Sequence, residues 1–152
     1  WIFFITMEWR RKITNPITQT TTMTVVPNSK LPAFLPEKPG AAYLAFETAL
    51  YGMADNLSRD YEGGYWEFCE LSNGGFYCYP ATEKDFGCDS LNGFECRMSA
   101  DAFGITATLF ALNCAMDGQS GATLEKLVDG YYRLRDYAAE HEEATQIFRM
   151  ID

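Results

Sequence analysis

Gly63-Gly64-Tyr65-Trp66-Glu67-Phe68-Cys69-Glu70-Leu71-Ser72-Asn73-Gly74-Gly75-Phe76-Tyr77 decides how the rest of the chain is read. Two short aromatic-rich runs flank Asn73-Gly74. A type I′ turn needs positive φ at both central residues, which Asn tolerates and Gly adopts freely. The segment therefore predicts a tight β-hairpin. With Asn73 and Gly74 as a two-residue loop, Leu71 pairs with Phe76, Glu70 with Tyr77, Cys69 with Cys78 and Phe68 with Tyr79. One face then carries Trp66, Phe68, Tyr77 and Tyr79 and is assigned to the core. The other carries Tyr65, Glu67, Cys69, Leu71, Phe76 and Cys78, and a slip of one residue would exchange the two sets.

Upstream of the hairpin, Pro16, Pro27, Pro32, Pro36 and Pro39 punctuate a Thr-rich stretch from Thr18 to Thr24 that cannot sustain a helix. After Gly40 the pattern changes to Tyr43, Phe46, Leu50, Met53 and Leu57, one face of a helix over about Ala41 to Leu57. Downstream, Asn92-Gly93 precedes Phe94-Glu95-Cys96-Arg97-Met98, whose alternation predicts a strand, so the sheet is antiparallel with at least three strands. Ser99 or Asp101 can cap the next helix, which is apolar on most sides and ends at Asp117-Gly118. Ser120 opens a long amphipathic segment, followed across Glu142-Glu143 by Ile147, Phe148 and Ile151. The expected fold class is α+β: a small antiparallel β-sheet, a meander with tight Asn-Gly hairpins, packed with about four α-helices.

At 152 residues with 47% hydrophobic content, the chain has enough for one packed core, placed at residues 31–152. Residues 1–30 are expected to form an N-terminal arm, flexible or partly derived from upstream of the natural start, with Met7 the expected first residue. Net charge is −9, but residues 1–30 carry Arg10, Arg11, Lys12 and Lys30 against Glu8 alone, so the body holds −12. That acidity argues against direct nucleic-acid binding by the body, which would need a basic face. No apolar run is long enough to span a bilayer and Trp1-Ile2-Phe3-Phe4-Ile5 lacks a basic flank, so a cytoplasmic protein is expected. The expected oligomeric state is a monomer or weak homodimer.

No chemistry stands out. Cys69, Cys78, Cys88, Cys96 and Cys114 form no CxxC pair and are expected to be reduced, Cys69 and Cys78 packing side by side in preference to the disulfide their pairing would allow. With one histidine, His141, no compact zinc ligand set and no hydrolase triad can be assembled; His141 is read as a surface or capping residue. Glu67 and Glu70, three apart on a strand, point to opposite faces. Gly63-Gly64 and Gly74-Gly75 precede neither a GKS/T nor a helix and are turns, so no cofactor is expected.

Several strings nevertheless resemble one family. GGYWEFCELSNGGFY is similar to the hairpin of the ArdB/KlcA antirestriction proteins. The likeness continues through Phe34-Leu35-Pro36, Phe46-Glu47 and Tyr51, Ser99-Ala100-Asp101-Ala102, Gly104-Ile105, Leu109-Phe110-Ala111-Leu112, Arg133-Leu134-Arg135, His141, Glu143-Ala144, Ile147-Phe148 and Ile151-Asp152. The resemblance implies an α+β protein of mobile genetic elements that counters type I restriction without known enzymatic activity, and it supplies no catalytic residues. Duplex DNA presents roughly 20 charges over about 35 Å, against −12 spread over all sides of this body, so whole-surface DNA mimicry is disfavoured. Binding to the type I restriction-modification enzyme or an associated host factor is the expected mode. The partner surface is assigned to Asp136, Glu140, Glu142, Glu143 and Asp152, expected to be solvent-exposed and clustered. Two other classes stay open: a small enzyme, which would show a concave pocket with convergent perturbed titratable groups, and a structural module of a plasmid-maintenance assembly, which would show a large apolar patch.

Overall fold

The computed structural model describes residues 20–152. Its elements in chain order are β1 (Met23–Val25), α1 (Leu31–Glu37), α2 (Tyr43–Leu57), β2 (Trp66–Leu71), β3 (Phe76–Pro80), β4 (Phe86–Asp89), β5 (Glu95–Met98), α3 (Ala100–Ala115), α4 (Gly121–Ala139) and α5 (Ala144–Ile151). The class is α+β, as expected. The strands form two antiparallel units, a sheet in the order β1-β2-β3 and a separate β4-β5 ribbon, in place of the one sheet inferred from the sequence.

The breaker-rich stretch contributes more than its pattern suggested. Met23–Val25 pairs with Leu71, Glu70 and Cys69 of β2, and Thr22 exchanges bonds with Ser72. Three residues are too few for a periodicity to show. The helix Leu31–Glu37 was also missed; Pro32 sits in its first turn, where a missing N–H has no intrahelical partner to lose. Most of the expected arm, residues 1–19, lies outside the described residues.

The first hairpin differs from the type I′ reading, and the second takes the same form. In the first, Glu70 faces Phe76, Cys69 faces Tyr77 and Phe68 faces Cys78, one residue away from the expected register. The loop is three residues long: the Gly74 N–H donates to Leu71 O at 2.9 Å and the Leu71 N–H to Gly75 O at 2.9 Å, with Gly74 at φ 91°. This is a type I turn closed by a left-handed glycine, and it spares Asn73 a positive φ. The Asn73 side chain instead accepts the Gly75 N–H at 2.9 Å and donates to Arg133 O at 2.9 Å. Ser90 to Phe94 repeats the arrangement, with Gly93 at φ 86° and the Phe94 N–H donating to Asn92 Oδ1 at 3.0 Å. Cys69 and Cys78 thus lie on opposite faces. The cysteines that do face each other are Cys88 and Cys96, and all five are free.

The register change splits the aromatic face. Trp66, Phe68 and Phe76 turn toward Phe34 of α1 and Phe46 and Tyr51 of α2, while Cys69, Tyr77 and Tyr79 lie on the other side, where Tyr77 stacks on Tyr137 of α4 at 5.7 Å. Trp66, Cys69, Leu71, Phe76, Tyr77 and Cys78 are all buried. Because helices cover both faces, alternation could not reveal which was wet.

Helix α3 runs through the centre, and almost every residue from Ala100 to Leu112 is buried. It reaches the outer edge of β3 because residue 104 is glycine. A Cβ there would stand 2.3 Å from Cys78 O and 2.4 Å from Tyr79 Cβ. Cys78 occupies a position whose N–H and C=O point away from β2, and the Thr108 hydroxyl answers both, accepting at 3.1 Å and donating at 3.3 Å. Strand β4 is closed likewise: the Gly87 N–H donates to Asp60 Oδ2 at 2.8 Å and Ser58 Oγ donates to Gly87 O at 2.6 Å.

Two substitutions test this architecture. Gly→Ala inside a helix ordinarily stabilises by up to about 1 kcal/mol, but Gly104→Ala should destabilise by about 1–3 kcal/mol because backbone must move. Gly74→Val should cost about 1 kcal/mol or more through its positive φ. Urea denaturation of each variant reads both values, and an unchanged or raised midpoint for Gly104→Ala would contradict the close approach.

Candidate functional site

A network of titratable side chains lies where α3 begins. Ser99 is its N-cap, accepting the Ala102 N–H at 3.2 Å. Asp101, in the first turn, sits where the helix dipole favours a carboxylate, and both of its oxygens are occupied. The Tyr77 hydroxyl donates to Oδ1 at 2.6 Å, and His141 Nε2 lies 2.8 Å from Oδ2. His141 comes from the turn between α4 and α5. Its Nδ1 accepts the backbone N–H of Glu143 at 3.0 Å. The Glu143 carboxylate closes the ring of contacts, accepting the Ser99 N–H at 2.9 Å and the Ser99 hydroxyl. Five side chains thus tie β3, the head of α3 and the α4–α5 turn together.

Electrostatics follow from these partners. Burial opposes ionisation of Asp101, but the hydrogen bonds from His141 and Tyr77 outweigh it and hold the carboxyl below its ordinary 3.8. The bond to Asp101 raises His141 above its ordinary 6.5 against the opposing effect of burial. Burial, then the Asp101 carboxylate, push the Tyr77 phenol far above its usual range. Cys69, behind Tyr77, is pushed up to about 12, chiefly by burial, so it is a thiol and a poor nucleophile.

Beside this network opens a cleft of about 480 Å³ lined by Thr20, Thr21, Ser99, Asp101, Tyr137, Glu140, His141, Glu142 and Glu143. Of the expected partner-binding acids, Glu140 and Glu142 are exposed at the cleft. Glu143 lines it too, but its carboxylate is engaged by Ser99, so it is not the free surface acid expected. Asp136 is half-buried and Asp152 lines a separate depression with Asn92, Gly93, Phe94 and Arg149. The five acids therefore do not form one cluster. His141, expected to be a surface or capping residue, is largely buried, its side chain 12% exposed.

Both ring nitrogens of His141 are engaged by protein groups, Nε2 with Asp101 and Nδ1 with the Glu143 N–H. Among the described residues no group of three or more His, Cys, Asp or Glu side chains is placed to hold a metal ion, and no helix is long and apolar enough to cross a membrane.

The network's stability is open to measurement. Asp101→Ala strands the buried Tyr77 hydroxyl and the His141 Nε2–H, and should destabilise by roughly 1–3 kcal/mol. The Asp101 contribution is complete above its ordinary 3.8 and fades as pH falls through the lowered value; that of His141 is complete below its ordinary 6.5 and fades as pH rises through the raised value. The stability gap between wild type and Asp101→Ala should accordingly be wider near about pH 5.5 than near about pH 8.5. Equal gaps in denaturation curves at the two values would rule out the pair.

The sequence profile of a family described as "Antirestriction protein" matches residues 59–152. The antirestriction protein KlcA of Escherichia coli is 42% identical over 124 residues, spanning 78% of this chain and 85% of KlcA. YafX of Escherichia coli strain K12, itself uncharacterized, is 36% identical over 141 residues, spanning 86% of this chain and 88% of YafX. A solved structure from work on KlcA and ArdB superposes with a TM-score of 0.81 at 36% identity, covering 91% of this chain and 100% of the other. That work describes a novel fold and antirestriction activity against type I DNA restriction systems in vivo but not in vitro. With a family profile spanning more than half its length and relatives at this identity, the chain belongs to the antirestriction protein family.

Proposed function

We propose that this protein protects incoming plasmid or phage DNA from the host's type I restriction by non-catalytic binding to a protein partner in the cytoplasm. The partner is the type I restriction-modification enzyme or a host factor associated with it. The single observation that carries this reading is the structural match at 36% identity to a protein active against type I systems in vivo but not in vitro. Activity that disappears outside the cell is what an inhibitor acting through a further cellular component would display. An inhibitor that simply occupied the enzyme's DNA channel would work in both settings.

The contact surface in this reading is the exposed acidic rim at Glu140 and Glu142, since Glu143 is engaged by Ser99, Asp136 is half-buried and Asp152 lines a separate depression. Carboxylates there would meet a basic surface on a DNA-handling complex, where complementarity speeds encounter and fixes orientation. A second reading, a small enzyme, draws support from the cleft and its perturbed Asp101, His141 and Tyr77. The occupied ring nitrogens of His141 weigh against it.

A plating assay tests the proposal. Unmodified phage on cells carrying a type I system should plate far more efficiently when this protein is supplied in trans; no gain across several type I systems, with the protein abundant and folded, would overturn it. The Glu140→Gln/Glu142→Gln variant should keep wild-type stability to within about 0.5 kcal/mol. It should lose most of the protection, and full protection at normal abundance would move the surface elsewhere.

A further inference from the structure

His141 is held from both sides by groups that make opposite demands on it. Oδ2 of Asp101, 2.8 Å from Nε2, is satisfied by the neutral Nε2–H form and better still by an imidazolium. The Glu143 N–H, 3.0 Å from Nδ1, requires a lone pair on that nitrogen, and an imidazolium would set N–H against N–H. The neutral ring with its proton on Nε2 satisfies both contacts, whereas the charged ring can satisfy only Asp101.

The neighbours set which demand prevails. Around Asp101 and His141 lie Tyr77 and Tyr79 from β3, Cys69 from β2, Tyr137 from α4, and Glu140, Glu142 and Glu143 from the α4–α5 turn. The carboxylates of Asp101, Glu143 and Glu142 favour charging the ring, and burial opposes it. Charging therefore acts on the one contact that cannot survive it, the Glu143 amide. That residue is also the one whose carboxylate grips Ser99 and whose C=O receives the Ile147 N–H at 3.1 Å in the first turn of α5.

We propose that Asp101 and His141 form a proton-operated latch: neutral His141 holds the α4–α5 turn closed by accepting the Glu143 amide, and protonated His141 releases that amide while gripping Asp101. Asp101, His141 and Glu143 are positioning residues in this arrangement. Glu140 and Glu142 lie immediately beside His141 in the chain, so the latch sets where the acidic rim stands relative to α3. Its bearing on antirestriction rests on the rim being the partner surface; the latch itself does not.

His141 is the chain's one histidine, so its ring signals need no assignment strategy. In the full-length ¹⁵N-labelled protein, multiple-bond ¹H–¹⁵N spectra should show the Nε2–H tautomer at high pH. As pH falls, the Glu143 amide resonance should shift with the same midpoint as the ring. Asp101→Asn should lower that midpoint. In His141→Gln, which keeps a side-chain N–H donor and removes the titration, the Glu143 amide should lose the shift. An Nδ1–H tautomer at high pH, a Glu143 amide that stays still while the ring titrates, or an undiminished amide shift in His141→Gln would each overturn the latch. Full antirestriction by Glu140→Gln/Glu142→Gln, with ring and amide still titrating together, would remove the partner surface and leave the latch standing.

Discussion

The approach of α3 to the outer edge of β3 is the constraint on which the rest of the fold depends. A helix apolar on most sides must be surrounded, and a three-stranded sheet with an open edge must be closed; the contact at Gly104 and Thr108 does both. Gly104 removes the atom that would hold helix and strand apart, and Thr108 supplies the hydroxyl that pairs both backbone groups of Cys78. Once α3 is seated, its N-terminus lies beside Tyr77, and Asp101 comes within reach of the Tyr77 hydroxyl. The polar network at the cleft is thus a consequence of how closely the central helix packs.

Charge is distributed with a similar economy. Several cations of this acidic chain bond backbone carbonyls: Lys38 donates to Gly74 O at 3.3 Å, Lys126 to Glu37 O at 2.9 Å, and Arg133 crosses the bare Gly74-Gly75 pair to reach Asn73 O. These bonds close the first hairpin turn and the C-terminal end of α1, where carbonyls would otherwise lack partners. Lys38 also pairs with Glu70. Charge engaged in this way steadies the turns and is less available for an external ligand.

Much of the fold was legible in the sequence, and the errors have identifiable causes. The helices α2, α3, α4 and α5 are long or strongly periodic and stand where their patterns placed them. The hairpin register failed because Asn-Gly serves two turn types. Asn73 can supply a side-chain acceptor at a type I turn as readily as a positive φ at a type I′ turn, and the sequence does not distinguish them. The core face of β2 and β3 failed because both faces are covered. His141 was misplaced for a different reason. Its network, through Asp101 to Tyr77 and through Glu143 to Ser99, draws on three places in the chain, and no local spacing connects them. The available signal was that Ser99, Asp101, His141 and Glu143 all lie in the strings that carry the family likeness, polar residues among neighbours that build core and turns.

That network also bears on what kind of protein this is. Buried titratable groups beside a cleft are the usual mark of catalysis, because a reaction needs a group poised to give or take a proton. Here the groups engage one another: Asp101 with Tyr77 and His141, His141 with Asp101 and the Glu143 N–H, Glu143 with Ser99. A satisfied network of this kind rigidifies its surroundings. What it rigidifies is the junction of β3, α3 and the α4–α5 turn, with Glu140 and Glu142 left outside it, exposed. The shifted proton affinities of Asp101, His141 and Tyr77 arise from burial and from these mutual contacts, the same contacts that fix the junction beside the cleft.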